Sequence, residues 1–589
     1  MKKLFYLLTI PVLVLSCTKG FEKLNTDPTQ FTQGSPEAVM QTAFKTTGTM
    51  MATINAGPPV GKYWDVSNWI NPGARYNMGD AGEWQQGYVN ILQNLTQITN
   101  DYGDDTAFTN RVQIARIWKA YIYSVLTGTF GPVPVSQANN PEFLANNIYD
   151  SEDSVYLNIL STLKDASAKI NLNRTTDKLV YDVIYGGDLL KWKKFANTLR
   201  LKIALRCTKN LGAAANTAIT EVMADEANLI GSAADAAKVP FENVNNNENP
   251  YFILYTKNPF TLQFPKLNDF MLVFLRSYKD PRLEYYFDSV KVVANRYVVT
   301  DTLSSVADDS LRIVTYPIPF YGLPKSPTLL SGWTGALAGQ INPHSGVNIN
   351  AYSNPSASIY TNPARPYMIL TYAETLLMKA EAKQLGLGGT GTAESYYYAG
   401  IDANFAFWGI PVARRDAYKA INGIKWGTTG VGFRDYLGIT NANIPDGDIN
   451  KIYIQHWLNY YPDQGFDAWC LQRRTFVITP PPHTNPAYAS FTFTEIPYRG
   501  TYPVNLQNVN PTGYNDALGK LKIPVGAETT NGYYPLNFMI PHTVKDWNSV
   551  TPQFDNSYIR KWYGSTIDSL KAAAISSGFT YTITTTFKP

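Results

Sequence analysis

The stretch RPYMILTYAETLLMKAEAKQLGLGGTGTAESYYYAGIDANFAFWG (365–409) predicts two helices joined by a glycine-rich turn. Apolar residues recur at three- and four-residue spacing in its first half. One stripe of that helix consists of Ile369, Ala373, Leu376, Leu377 and Ala380. Gly386 is suited to end the helix in a left-handed conformation. We therefore expect helices over 366–385 and 393–408.

The turn between these helices contains GLGGTG (386–391), a literal match to the G-x-G-x-x-G pattern of dinucleotide-binding sites. That fingerprint needs a β-strand before the first glycine, a helix that starts at the last one and an acidic residue roughly 20 positions later. Here the glycines follow a helix. Small residues would also let the two helices approach closely, as in a tetratricopeptide hairpin; they are Ala373, Ala380, Ala382 and Ala399. The match therefore indicates a helix-to-helix turn, and we expect no nucleotide binding.

Helical spacing recurs outward along the chain. It predicts further helices at 36–54, 83–99, 111–127, 153–170, 188–206 and 449–475, with a last one near 557–577. Between about 240 and 365, Pro, Asn, Gly and Tyr crowd together, with short β-prone runs at 289–299 and 311–318, and a Pro-rich stretch covers 479–543. The pattern predicts a mostly α-helical protein with a large loop-rich region and a few short strands.

Composition and charge exclude several classes of protein. The chain has 589 residues, of which 44% are hydrophobic and 16% charged, so it is long and apolar enough to bury a large core. Its net charge is only +4 and no dense basic run follows residue 3, which argues against a nucleic-acid partner. The 40 Tyr and 12 Trp suit contact with carbohydrate or peptide, although a ring-rich core would give the same composition.

The first seventeen residues, MKKLFYLLTIPVLVLSC, have the pattern of a lipoprotein signal peptide. Two lysines precede an apolar run from Leu4 to Leu15, which is shorter than the roughly 20 residues needed to span a bilayer. A small residue, Ser16, then precedes Cys17, as lipoprotein signal peptidase requires. We expect a signal peptide over 1–16, acyl chains on Cys17 and a lipidated tether over 17–35. Only Cys207 and Cys470 remain, so no disulfide framework is expected.

Eight motifs in order along the chain give it a resemblance to a known family. They are the lipoprotein signal, NTDPTQFT (25–32), FGPVPVSQA (130–138), WKKFANTLRLKIALR (192–206), DPRL (280–283), RPYMILTYAETLLMKAEAKQLG (365–386), GFDAWCLQRRTF (465–476) and IPYRGTYPVNLQNVNP (496–511). With these motifs the chain resembles the SusD/RagB nutrient-binding lipoproteins, and within them the SusD-like branch. The resemblance extends from Cys17 to the C-terminal region.

The resemblance implies a fold, a location and a partner. The fold would be a single domain over 36–589, in which tetratricopeptide-like helix pairs (about 36–230 and 365–475) form a superhelical scaffold for a loop-rich ligand-binding region (about 240–365 and 479–550). The protein would be lipid-anchored in the outer membrane, facing the exterior. It would cap a SusC-like TonB-dependent transporter and capture a nutrient, either an oligosaccharide or, as in RagB-type relatives, a peptide or glycopeptide.

Two aromatic loops are the predicted ligand site, because a sugar ring needs flat apolar platforms with polar groups beside them. The first, GKYWDVSNWINPGARYNMGD (61–80), lies between the first and second predicted helices and contributes Trp64, Asn68, Trp69, Asn71, Arg75, Tyr76 and Asp80. The second, SGWTGALAGQINPHSGVNINAY (331–352), contributes Trp333. SusD-like proteins similarly meet their ligand with aromatic residues from two such regions. The alternative is that these tryptophans are packed beneath their loops.

An enzyme and a purely structural or adhesion lipoprotein are the competing interpretations. A glycosidase would need two carboxylates at a defined separation, which sequence does not give. The four histidines, His344, His456, His483 and His542, form no metal-binding or catalytic motif, and no G-x-S-x-G elbow is present. DGDIN (446–450) resembles the start of a calcium loop but has Trp457 where the closing Glu belongs, so a polar turn and helix cap is favoured. We expect no catalytic residues, no metal and no cofactor.

The adjacent Arg473 and Arg474 are the remaining candidates for ligand contact. Either guanidinium could bind a carboxylate with two parallel hydrogen bonds. The favoured interpretation is that both hold carboxylates or carbonyls within the fold.

Overall fold

Long helices make up most of the computed structural model, which describes residues 35–56, 81–143, 146–257, 267, 271–272, 274–275, 278–289, 296–305, 308–316, 320, 353–429, 433–434, 440–441, 447–475, 477, 500, 502–521 and 579–588. The helices are α1 (Pro36–Ala56), α2 (Ala81–Gln85 and Gln93–Tyr102, joined by the π-helical Gln86–Leu92), α3 (Thr109–Phe130), α4 (Glu152–Lys169), α5 (Leu189–Arg206), α6 (Ala213–Met223), α7 (Tyr372–Gln384), α8 (Ala393–Phe407), α9 (Val412–Lys419), α10 (Asp448–Tyr460), α11 (Gly465–Thr475) and α12 (Pro511–Lys520). Short helical turns occur at Thr106–Phe108, Pro141–Phe143, Thr208–Leu211, Glu226–Asn228, Ala233–Asp235, Pro250–Phe252, Ile253–Lys257, Leu283–Tyr286, Ala357–Tyr360 and Leu506–Val509.

The strands are few and antiparallel. They are β1 (Ala237–Val239), β2 (Arg296–Ser305), β3 (Asp308–Tyr316), β4 (Tyr367–Leu370), β5 (Phe433–Arg434), β6 (Thr440–Asn441) and β7 (Phe579–Lys588). β1 pairs with β4, with Val239 opposite Tyr367. β2 lies between β3 and β7, with its Val299 opposite Tyr316 on β3. The prediction of a mostly helical fold with a few short strands is confirmed.

Polar side chains fix where the helices begin, because the first backbone N–H groups of a helix lack partners within it. Ser151 accepts a hydrogen bond from the Ser154 N–H at the start of α4, and Asp188 does the same for α5. Thr371 caps α7, and at α8 Thr392 and Ser395 cap each other in a capping box. The sequence therefore specifies the starts of α4, α5, α7 and α8 locally.

Consecutive helices pack against each other and share one core. α3 packs on α4, α4 on α5 and α5 on α6, while α7 packs on α8 and α10. The predicted apolar face of α5 is buried throughout, at Trp192, Phe195, Leu199 and Ile203. In the α7–α8 hairpin a Cβ at Gly400 would lie 2.7 Å from the Leu377 side chain, so the close approach depends on that glycine. This is the helix-pair packing that the sequence predicts.

The glycine turn between α7 and α8 has the predicted geometry. Gly386 has a φ of 75°, and its N–H and that of Leu387 bond to carbonyls in the last turn of α7. These are the paired hydrogen bonds of a Schellman motif. Gly388 and Gly389 also have positive φ, at 104° and 97°. The prediction of a helix-to-helix turn is confirmed.

Several boundaries predicted from periodicity are wrong. Residues 367–370, predicted as the start of a helix, form β4, because the buried run YMIL pairs with β1. The predicted helix over 449–475 is two helices, α10 and α11, since Tyr461-Pro462 interrupts it. Periodicity also missed α6, α9 and α12. The predicted helix near 557–577 lies outside the described residues, and nothing tests the single-domain assignment over 36–589.

No helix among the described residues is both long enough and apolar enough to cross a membrane. Cys17, the predicted lipidation site, lies outside the described residues.

Candidate functional site

The eight predicted ligand residues all lie outside the described part of the chain. They are Trp64, Asn68, Trp69, Asn71, Arg75, Tyr76, Asp80 and Trp333. Their role as a ligand site therefore stays a prediction. What the structure does describe is the scaffold from which the two loops leave, and a separate cleft within the helical part.

The first loop joins α1 to α2, and the start of α2 is held in a cluster of aromatic rings. The Trp84 ring lies 4.8 Å from Tyr88, 5.3 Å from Phe130, 5.8 Å from Tyr149 and 5.9 Å from Tyr502, measured between ring centroids. These distances are typical of favourable aromatic pairs. The chain therefore enters α2 at a rigid point, only four residues after the predicted ligand residue Asp80.

The same cluster brings together two segments that are far apart in sequence. Phe130 belongs to the motif FGPVPVSQA, and Tyr502 belongs to IPYRGTYPVNLQNVNP. The Gly500 N–H donates to the Thr129 carbonyl at 2.6 Å, while the Thr129 hydroxyl donates to the buried Glu83 carboxylate at 2.7 Å. Motifs 130–138 and 496–511 therefore act as structural supports for the end of the first loop.

The second loop is held at its C-terminal end by backbone pairing. Ser353 is buried, and its carbonyl accepts a hydrogen bond from the Leu267 N–H at 2.7 Å. The Asn354 carbonyl accepts from Asp288, and Phe287 and Pro355 form an isolated β-bridge. Both predicted loops thus leave from ordered points of the scaffold.

The motif DPRL (280–283) contributes a buried ion pair that holds its own segment against the helices. Asp280 and Arg282 form a fully buried ion pair, with Arg282 Nη2 2.6 Å from Asp280 Oδ2. The same guanidinium donates to Asn404, Tyr418 and Gln455. A buried charge is tolerated only when it is paired and hydrogen-bonded in this way. Arg282 is therefore a structural residue that ties the segment before the second loop to α8, α9 and α10.

A cleft of about 690 Å³ lies in the helical part of the protein. It is lined by residues from 231–238, from 365–373 around β4, from the C-terminal end of α8 and from 459–464 at the turn between α10 and α11. Its volume falls within the roughly 300–1,000 Å³ typical of small-molecule sites.

Most charged and amide groups in the cleft are fixed by partners. Arg365 binds Asp463 through two parallel hydrogen bonds of 2.9 and 2.7 Å. Burial alone would lower the pKa of Arg365, but the adjacent Asp463 carboxylate outweighs burial and raises it. Asn404 donates to Asn459 at 3.0 Å, which in turn lies 3.3 Å from the Thr371 hydroxyl. The walls of the cleft are therefore held in one arrangement.

Two groups in the cleft can still form a hydrogen bond or an ion pair with a ligand. Gln464 is 3% exposed, and its amide nitrogen donates both to the Ile369 carbonyl at 3.1 Å and to Glu374 at 2.6 Å. Its Oε1 accepts no hydrogen bond from the described residues. Lys238 is exposed at the rim, and no described carboxylate lies within salt-bridge distance of its ammonium group.

A buried ion network lies behind Gln464. Lys202 bridges two carboxylates, at 2.9 Å from Glu374 and 2.7 Å from Asp467, and Arg206 binds the other oxygen of Asp467 at 3.1 Å. Burial raises the pKa of Glu374 even though Lys202 opposes the shift. The two cations and two anions neutralise each other, so the network is structural and fixes α5 against α7 and α11.

The remaining titratable candidates are also structural. Arg474 binds Glu381 at 2.5 and 2.8 Å, and Arg473 donates to the Gly128 carbonyl at 2.9 Å, as predicted for internal partners. His456 is fully buried, and burial together with Arg474 and Lys202 holds its pKa well below the ordinary value, so it stays neutral. The other three histidines lie outside the described residues.

The DGDIN run begins α10 but supplies no side-chain cap, because the N-cap residue is Gly447, and Asp446 lies outside the described residues. Asp448 is the first residue of α10, and it accepts hydrogen bonds from Lys451 at 2.7 Å and from the Gly427 N–H at 2.9 Å. Across the described ranges, no group of three or more His, Cys, Asp or Glu side chains is placed to hold a metal ion. Cys207 and Cys470 are both buried free thiols.

Sequence reasoning missed the cleft entirely. Its residues come from four separate segments, of which only 365–373 belongs to a motif identified above, so nothing along the chain brings Lys238, Phe407 and Gln464 together. One available signal was Pro462, which stands inside the run interpreted as a single helix over 449–475 and breaks it.

A family model described as "Starch-binding associating with outer membrane", SusD-like, matches residues 29–306 and 325–503. None of the curated proteins compared with the chain matches it. A solved structure described as a chitin-binding protein is similar at a TM-score of 0.65 and 19% identity, over 86% of this chain and 100% of that one.

Two further solved structures have the same fold. A chitin-binding SusD homolog from Flavobacterium johnsoniae is similar at a TM-score of 0.61 and 22% identity, over 86% of this chain and 95% of that one. A SusD homolog from Bacteroides vulgatus is similar at a TM-score of 0.61 and 18% identity, over 86% and 94%. At these identities the similarity establishes the fold and leaves the ligand open.

Proposed function

The chain belongs to the SusD-like family of starch-binding proteins associating with the outer membrane, and we propose that it is a cell-surface lipoprotein that captures an oligosaccharide for uptake. It binds the glycan through the loops 61–80 and 331–352 without cleaving it. The loaded protein then delivers the glycan to a SusC-like TonB-dependent transporter, over which it sits as a lid. Energy for uptake comes from the transporter.

The family match is the observation that carries this proposal. It spans 29–306 and 325–503, so both predicted ligand loops fall inside the matched residues. The scaffold supports the proposal, because the Trp84 cluster and the Ser353 pairing give both loops ordered points of attachment. Rigid scaffolds that carry variable loops are a common basis for ligand specificity.

A glycan panel with peptide controls tests the proposal. Purified protein is titrated calorimetrically with chitooligosaccharides, maltooligosaccharides, a glycopeptide and an unglycosylated peptide. We expect saturable glycan binding on the order of micromolar to millimolar, since a few stacking contacts must offset the cost of association. No new reducing ends should appear during incubation. Binding of peptide alone would replace the proposal by a RagB-type function, and release of reducing ends would make the protein an enzyme.

The proposed transporter partner has its own test. Affinity-tagged protein in detergent-solubilised outer membranes should retain a barrel-sized membrane protein. Recovery of the tagged chain alone, under conditions in which it still binds glycan, would contradict the lid role and would favour a structural or adhesion lipoprotein.

The proposed lipid anchor rests on Cys17. Cys17→Ala should move the protein from the membrane to the soluble fraction, because acyl chains are its proposed membrane anchor. Mass spectrometry of the wild-type protein should find a mature chain that begins at an acylated Cys17. Membrane retention of the variant, or an unmodified N-terminus in the wild type, would contradict the anchor.

A further inference from the structure

The cleft between 231–238, β4, α8 and the turn 461–464 exposes several groups that have no partner among the described residues. The ion networks next to it, at Lys202 and at Arg282, are by contrast satisfied by internal partners. Three groups that line the cleft are available to a ligand: an acceptor oxygen, a cation and a half-exposed aromatic ring. Each of them limits the chemistry of the ligand that can bind.

The acceptor is Gln464 Oε1. The side chain is 97% buried, and its amide group cannot rotate to present nitrogen to the cleft without losing its bonds to Ile369 and Glu374. Gln464 Oε1 is accessible from the cleft, so a ligand that displaces its contact with solvent must supply a donor in return. The occupant therefore carries a hydroxyl or N–H group.

The cation is Lys238. Arg365 also lines the cleft, but Asp463 binds it through both of its terminal nitrogens and cancels its charge. Lys238 has no such partner among the described residues, so the charged side chains that line the cleft leave one net positive charge. An anionic group on the occupant would be attracted to this rim.

The aromatic ring is Phe407, the last residue of α8. It lines the cleft and is 53% exposed, so its ring is accessible to a ligand. The half-buried Tyr372 also lines the cleft. Rings of this kind provide flat apolar surfaces on which the C–H face of a sugar packs.

We infer that this cleft is a second ligand site, which takes a single sugar unit bearing a carboxylate, such as a uronic acid. The sugar's C–H face packs on Phe407, one hydroxyl donates to Gln464 Oε1, and the carboxylate pairs with Lys238. The described residues that line this site belong to neither of the loops 61–80 and 331–352, so we expect it to act separately from the glycan that those loops are proposed to bind.

Titration with sodium glucuronate tests the inference, with glucose as the neutral counterpart and sodium acetate as a control for the bare carboxylate. We expect saturable glucuronate binding at millimolar concentration, with glucose at least about tenfold weaker and acetate without measurable binding. Equal binding of glucuronate and glucose, or no saturable glucuronate binding, would overturn the inference.

Two exposed substitutions locate the site without disturbing the core. Lys238→Ala should weaken glucuronate about tenfold, to the level of glucose, and leave glucose unchanged. Phe407→Ala should weaken both sugars. The matched controls Lys178→Ala and Tyr181→Ala change exposed residues outside the lining of the cleft and should have no effect. Unchanged glucuronate binding in Lys238→Ala would overturn the inference.

A loop variant separates this inference from the proposed function. The triple substitution of Trp64, Trp69 and Trp333 by Ala should retain parent-like glucuronate binding. If it loses glucuronate together with the larger glycan, the acidic sugar binds at the loops and the second site is wrong.

Discussion

Two helix-to-helix turns of this protein differ in whether the polar groups around them are all hydrogen-bonded within the protein. The turn 386–391 between α7 and α8 matches a ligand-binding motif, whereas the turn 461–464 between α10 and α11 matches none. The first is closed against its own protein: the Glu226 carboxylate accepts from the Thr390 N–H at 2.7 Å, from the Tyr396 hydroxyl at 2.7 Å and from Lys379. The second leaves Gln464 Oε1 facing a cleft.

The difference shows that binding capacity depends on what the surrounding fold leaves unsatisfied. In the first turn the glycines serve packing, since a Cβ at Gly389 would lie 2.7 Å from the end of Met223 on α6. In the second turn, Gln464 and Asp463 use most of their hydrogen bonds to hold the fold, and one acceptor remains. A sequence motif does not show whether the polar groups of a turn are bonded internally or remain free for a ligand.

The largest effect on the free energy of unfolding is expected for a substitution of Lys202, which lies in the ion network behind the second turn. Lys202→Met would leave the carboxylates of Glu374 and Asp467 buried without their shared cation, which should lower the free energy of unfolding by about 4 kcal/mol. Urea denaturation measures this. The control Lys164→Met removes an exposed pair with Glu221 and should cost below about 1 kcal/mol. Equal costs for the two variants would show that the network does not stabilise this turn.

A smaller effect on the free energy of unfolding is expected for substitutions in the first turn. Gly389→Ala should cost about 2 kcal/mol, because it combines a positive φ with the contact to Met223. Gly386→Ala is the matched control: it has a positive φ of 75° and open space around its Cβ, so it should cost only about 1 kcal/mol. Glycan affinity should be unchanged in both, and a dinucleotide should give no thermal shift. A saturable shift with the dinucleotide would mean that the turn is a binding site after all.

The smallest effect on stability depends on pH and on Glu226. Burial opposes ionisation of this carboxyl, but hydrogen bonds from Lys379, Thr390 and Tyr396 outweigh burial and lower its pKa from 4.5 to about 2. The ionised form is therefore favoured by folding, and its contribution is present above pH 4.5 and is lost as the pH falls toward 2. Because the side chain is partly exposed, we expect Glu226→Gln to cost about 1 kcal/mol at pH 7.

The cost of Glu226→Gln should shrink progressively between pH 4.5 and pH 3 in urea denaturation. Glu142→Gln, at an exposed position, serves as the control and should differ little from wild type throughout. A cost for Glu226→Gln that stays constant over this range would contradict the proposed closure of the first turn by an ionised carboxylate.

The local features of the fold could be predicted from the sequence. The buried stripe of α5, the Schellman end of α7 at Gly386 and the order of the helices all follow from residue spacing and turn chemistry within a few positions. One error, the undivided helix over 449–475, overlooked the local signal of Pro462, and another arose where distant segments decide the structure. Residues 367–370 form a strand only because β1 is available to pair with them.

The candidate sites were less accessible to sequence reasoning. The Trp84 cluster joins rings from 84, 130, 149 and 502, and the cleft joins residues from 238 to 464, so neither is visible in any window of sequence. The interpretation of Arg473 and Arg474 as internal residues was correct, since bidentate pairing depends on a carboxylate that packing supplies. The loop residues 61–80 and Trp333 remain predictions.

The most direct test of the central claim is calorimetric titration of Trp64→Ala, Trp69→Ala and Trp333→Ala variants with a glycan that the parent protein binds. We propose that the two loops capture the glycan and that the helices provide the stability of the fold. We therefore expect at least one variant to lose roughly tenfold or more in affinity, while circular dichroism shows an unchanged helical fold. If all three folded variants bind the glycan like the parent protein, the loops are not the capture site.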